Sequence, residues 1–119
     1  MHNALWRLLA TFLLLGFGAT ALAQDWPTKP VKIIVPFPPG QGADIIGRLL
    51  AERLSPALGQ PFIVDNKPGA GSMIGTALAA KAPADGYTLF IGGSSAMVIN
   101  PHLYQNLEYK LSDLSLIHI

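Results

Sequence analysis

The chain has 119 residues, 50% hydrophobic and 13% charged, with 12 Gly, 10 Pro and no Cys. That length holds one small domain at most, or part of a larger one. Eight basic residues against seven acidic ones leave a formal charge of +1. This is too little basic density for a nucleic-acid surface, and the missing cysteine excludes disulfides, thiolate nucleophiles and Cys-ligated zinc.

The first 23 residues read as a secretory signal, with Arg7 in a positive n-region and an apolar run from Leu8 to Phe17. Ala21-Leu22-Ala23 forms a small-x-small site, with cleavage expected after Ala23. The run is short for a membrane span of about 20 residues; an uncleaved anchor is the other reading. Removing Arg7 leaves seven basic and seven acidic residues in 24–119, a formally neutral exported chain.

Val31-Lys32-Ile33-Ile34-Val35 is β-branched and nearly continuous, which predicts a strand buried on both faces. A Pro/Gly stretch, Pro36 to Ala43, follows and cannot be regular structure. From Asp44 the period becomes helical. Ile45, Ile46, Leu49, Leu50, Leu54 and Leu58 form the expected buried stripe. Gly59 is the expected stop, and Pro56 is expected to kink or end the helix early. The pattern then repeats. A strand is predicted at 62–65, a Pro/Gly loop at 66–72, a helix at 73–82, a turn at 83–86, a strand at 87–91 and a small-residue loop at 92–95. Residues 113–119 read as the start of a further strand, cut short. Strands alternating with helices predict a mostly parallel α/β sheet. Ligands in such sheets bind outside the carboxyl ends of the strands, where all three small-residue loops converge.

Gly40-Gln41-Gly42 opens like a dinucleotide fingerprint, but Ile45 occupies the third glycine position, and no P-loop is present. Gly69-Ala70-Gly71 is likewise off register. What remains is backbone that can approach a small anion near a helix N-terminus, where free amides and the macrodipole favour a carboxylate. Asp44 has two possible uses: capping its helix, or facing the ligand. Ser94 and Ser95 lack the G-x-S-x-G elbow, and neither His102 nor His118 stands in a recognisable pairing with them. No metal-ligand spacing occurs, and no cofactor is implied. Trp26 and Tyr87 read as packing residues.

These strings together resemble a known family. Trp26-Pro27-x-Lys29-Pro30 and Ile34-Val35-Pro36-Phe37-Pro38-Pro39-Gly40-x-Gly42-x-Asp44 come first. Leu58-Gly59-Gln60-Pro61, Asn66-Lys67-Pro68-Gly69-Ala70-Gly71, Ala84-Asp85-Gly86-Tyr87-Thr88-Leu89 and Ile99-Asn100-Pro101-x-Leu103-Tyr104 follow in order. The set is similar to the TctC/Bug family, the extracytoplasmic solute receptors of tripartite tricarboxylate transporters. Lys67 stands where the family often has Arg, and Gln41 where it often has Gly. The resemblance implies a periplasmic-binding-protein-like fold (type II), two α/β lobes closing on a small carboxylate, without catalysis. It also implies a monomer that serves the membrane subunits of a transporter. Carried over by motif, the cleft-lining residues are Pro38, Pro39, Gly40, Gln41, Gly42, Ala43 and Asp44 in the first loop, Pro68, Gly69, Ala70, Gly71 and Ser72 in the second, and Ser94 with Ser95 in the third. Family members run to two or three times this length. The expectation is therefore that 24–119 is the N-terminal part of the first lobe, cut off near Asp113, with the second lobe absent. An exported serine-dependent hydrolase and a stand-alone periplasmic sensor are the alternatives from other classes.

Overall fold

The computed structural model describes residues 25–114. The expected secretory segment lies outside them, as do residues 115–119 of the expected last strand. Strand β1 (Val31–Val35) leads into helix α1 (Gly42–Leu58), strand β2 (Phe62–Asn66), a 3-10 turn (Ala70–Ser72), helix α2 (Met73–Ala80) and strand β3 (Thr88–Phe90). A π-helical turn (Ser95–Ile99) then runs into a short helix α3 (Asn100–Leu103), and a 3-10 turn closes the described chain at Leu111–Asp113. The sheet order is β2-β1-β3, with both pairings parallel. Ile33 of β1 sits opposite Val64 on one side and Leu89 on the other. The alternating α/β reading is borne out.

β1 is central because its sequence can be buried on both faces. Val31, Ile33 and Val35 are 0%, 2% and 0% exposed, and Ile34 is 5% exposed. Burying each such side chain contributes about 1.5–3 kcal/mol. Val31, Ile33, Val35 and Phe62 form the core, with Ala43, Ala51, Leu54, Val64, Leu89 and Ile91 packed around it. At the opposite end of the strands, Trp26 packs edge-on against Phe62, centroids 6.3 Å apart, and lies 6.2 Å from the Tyr87 ring. Both are packing residues, as read.

Two expectations need correction. Most of the expected stripe on α1 is not its buried face: Ile45, Ile46, Leu49 and Leu50 are 59%, 55%, 52% and 44% exposed, and of the stripe Leu54 is the residue packed on the core. α1 instead meets the sheet through Ala43, Gly47, Ala51 and Leu54. A Cβ on Gly47 would lie 3.2 Å from Ile91 Cδ1 and 3.3 Å from Val35 Cγ2, so only a bare backbone reaches this close. Small residues let the helix approach, and the larger ones are rotated outward. Second, Pro56 does not end α1 early: the helix continues to Leu58. Pro56 falls in the last turn, where its missing N–H frees only a carbonyl near the exposed Glu52. Gly59 ends the helix as expected, at φ +70° with its amide on the Ser55 carbonyl. Of the strand expected at 113–119 only 113 and 114 are described, and Asp113 ends a 3-10 turn that begins at Leu111. Asp113 accepts from the Lys110 amide at 2.9 Å and closes that turn.

Candidate ligand site at the strand edge

The three expected loops do come together. The first, 36–41, leaves β1 and reverses through a turn in which the Gln41 amide donates to the Pro38 carbonyl. Gln41 precedes α1 without capping it through its side chain. Asp44, inside the first turn, reaches back instead to the chain before the helix: its Oδ2 accepts from the Gly40 amide at 2.8 Å. A carboxylate in the first helical turn is placed to reach back over the entering chain.

Asp44 is also the hub of a polar cluster. Arg48, one turn on, donates from Nε to Asp44 Oδ2 at 3.0 Å. Asn66, the last residue of β2, donates to Asp44 Oδ1 at 2.9 Å and to the Phe37 carbonyl at 3.1 Å. Arg48 then reaches Asn66 Oδ1 at 3.2 Å. Asp44 does not cap a free amide of α1; it anchors the loop that enters the helix. The residue is 2% exposed and both oxygens are engaged beneath the loop.

The bond from Arg48, then that from the Gly40 amide, then that from Asn66 hold the Asp44 carboxyl down at about 2, against an ordinary 3.8. A depressed pKa adds stability that is complete above the ordinary value and lost as pH falls through the lowered one. Asp44 should therefore brace the first loop fully above about pH 4 and release it between about pH 4 and pH 2. The check is the denaturation midpoint of wild type against Asp44→Asn across that range. The gap should close toward pH 2, and a gap independent of pH would show the charge is not what braces the loop.

The second loop leaves β2 with the Lys67 amide on the Val35 carbonyl at 2.8 Å. It then turns through left-handed backbone. Gly69 stands at φ +127°, while Ala70 and Ser72 adopt φ +45° and +75° despite carrying side chains. Such non-glycine conformations cost about 1–3 kcal/mol each and persist only where neighbours impose them. Here the Thr76 hydroxyl donates to the Ser72 carbonyl at 2.6 Å, and the Asn100 amide donates to the Gly71 carbonyl at 2.9 Å. The third loop enters from β3 and lays Gly93 against the Phe37 ring, where a Cβ would lie 3.0 Å from Cζ. Ser95 Oγ meets Ser72 Oγ at 3.1 Å. Hydrogen bonds thus join the second loop to the first and to the third, and the first and third pack together at Phe37 and Gly93.

Pro38, Pro39, Gly40, Gln41 and Gly42 are exposed, as are Pro68, Gly69, Ala70, Gly71 and Ser94, whereas Ala43 and Ser95 are half-buried. Ser72 is buried and turned onto Ser95. Sequence reasoning missed Arg48, Asn66, Asn100 and Phe37 as the groups that lace the loops. Only Arg48 had a signal, its i,i+4 spacing from Asp44. One groove of about 360 Å³ runs along α2 from Ala70 to Lys81, and another of about 630 Å³ follows the open edge of β3. With Pro38–Gly42, Pro68–Gly71 and Ser94 exposed, this strand edge is an open wall. Among the described residues no group of three or more His, Asp or Glu could hold a metal ion. No helix among them is long and apolar enough to cross a membrane.

A partial α/β lobe with cross-linked loops at the carboxyl ends of parallel strands is the architecture of a periplasmic binding protein. Residues 46–119 match the tripartite tricarboxylate transporter family receptor, TctC, and the chain belongs to that family. It is 46% identical over 101 residues to the protein BugT of Bordetella pertussis, across 83% of this chain and 31% of BugT. A solved structure of a periplasmic transporter is 49% identical with a TM-score of 0.68, covering 71% of this chain and 28% of that one. MatC from Rhodopseudomonas palustris, solved with bound malate, is 32% identical with a TM-score of 0.66, over 71% of this chain and 29% of MatC. The chain spans about a third of the length of the curated relatives it matches.

Proposed function

We propose that residues 24–119 are the N-terminal part of the first lobe of a periplasmic receptor. In this reading a leader removed after Ala23 exports the chain. The receptor captures a small carboxylate as a monomer, without catalysis, and delivers it to the membrane subunits of a tripartite tricarboxylate transporter. The observation that carries the reading is the meeting of the three loops at one strand edge. The exposed residues Pro38–Gly42, Pro68–Gly71 and Ser94 are offered to the ligand there, with Ala43 and Ser95 beside them and Ser72 behind. The malate held by MatC supports a dicarboxylate as the ligand class. A neutral chain supplies no standing positive field, so the anion is held by backbone amides, those of the first turn of α1 among them.

Titrating the chain with malate, followed by backbone amide NMR, tests this. Shifts confined to the three loops are expected. Shifts elsewhere, or none at millimolar malate, would sink the reading. Calorimetry should show affinity weaker than micromolar, because one open wall cannot bury most of a ligand; micromolar binding by this chain would contradict the need for a second lobe.

A further inference from the structure

Arg48 is oddly used for a surface residue. Its side chain is 56% exposed, yet its guanidinium turns inward onto Asp44 and Asn66, at 3.0 and 3.2 Å. Asp44 sits directly beneath the backbone of the first loop, 2.8 Å from the Gly40 amide. A carboxylate at that depth opposes any anion brought to the loop. Like charges brought close together repel, and more strongly beside a protein surface than in bulk water. Gly40 and Asn66 hold Asp44 but are neutral, so they do not cancel its charge. Among the described residues, Arg48 is the one cation hydrogen-bonded to Asp44.

We propose that Arg48 is a specificity-determining residue: it cancels the charge of Asp44 so that the loop edge accepts an anionic ligand, acting through Asp44 and not by touching the ligand. This rests on the carboxylate reading above. A plain brace and a charge canceller differ in the sign of one comparison. If Arg48 only braces the loop, removing Asp44's charge as well breaks a second group of contacts and makes binding no better. If it cancels charge, neutralising Asp44 rescues its loss.

The experiment titrates malate into the whole chain and into Arg48→Gln, Arg48→Lys and Asp44→Asn/Arg48→Gln, by amide NMR, with a thermal melt of each. Arg48→Gln should bind malate about tenfold more weakly, the size of a 1.4 kcal/mol repulsion. Arg48→Lys, which keeps the charge, should fall between wild type and Arg48→Gln, and the double variant should recover most of the loss. A double variant as weak as Arg48→Gln, or an Arg48→Gln that binds like wild type, overturns the proposal. A double variant that fails to fold shows Asp44 and Arg48 to be a brace and also overturns it. A wild type with no malate-dependent shift fails earlier and separately, at the carboxylate reading itself.

Discussion

Gly75→Ala should destabilise this chain by about 1–3 kcal/mol, a fall in melting temperature of roughly 5–20 °C for a domain of this size. A Cβ there would lie 2.7 Å from the Lys67 carbonyl oxygen, and 2.8 and 2.9 Å from Cβ and Cα of Pro36. Those neighbours are main chain and a fixed ring, so they cannot step aside as a flexible side chain would. α2 would have to leave the first and second loops together, which should speed amide exchange in both. Alanine's better helix propensity offsets up to about 1 kcal/mol of this. Gly42→Ala is the matched control. Nothing lies within 4 Å of its Cβ, so the change should be neutral or mildly stabilising. Circular dichroism melts of the two variants decide the matter. A Gly75→Ala chain that melts with wild type would show that α2 is not seated against Pro36.

Ile33→Ala should cost more, about 2–5 kcal/mol. Ile33 is 2% exposed at the centre of the middle strand, between Val64 and Leu89. Small domains hold only about 5–15 kcal/mol in all, so this variant should lose a large share of its stability. Leu49→Ser is the informative partner. By helical spacing Leu49 belongs to the core, but it is 52% exposed on α1. Its replacement should change stability by no more than about 0.5 kcal/mol. Urea denaturation of both chains tests the contrast, and a large loss at Leu49 would restore the face that periodicity predicts.

α1 also marks the limit of periodicity. The spacing of Ile45, Ile46, Leu49 and Leu50 correctly announced a helix. It could not say which side that helix would press on the sheet, because closeness was decided by Gly47 and Ala51, residues too small to register as a stripe. The candidate site divides similarly. Pro36 to Gln41 and Lys67 to Ser72 were legible as loops because proline and glycine disfavour regular structure there, although the reading ran two residues too far, into Gly42 and Ala43 of α1. Their position after strands placed them at one edge. Asn66 and Asn100 were not legible as cross-links, since an asparagine at a strand end or before a proline has many local uses. The π-helical turn after Ser95 had no signal either.

By itself, then, the sequence determined the order of strands and helices, the parallel sheet, the edge where the loops meet and the family motifs. All of these follow from local period and chain direction. Only the tertiary structure decided the buried face of α1, the inward turn of Asp44 and the pairing of Arg48 with it. Those depend on which residues lie within a few ångströms across the fold, and Asn66, Asp44 and Phe37 become neighbours only once β1 and β2 are paired.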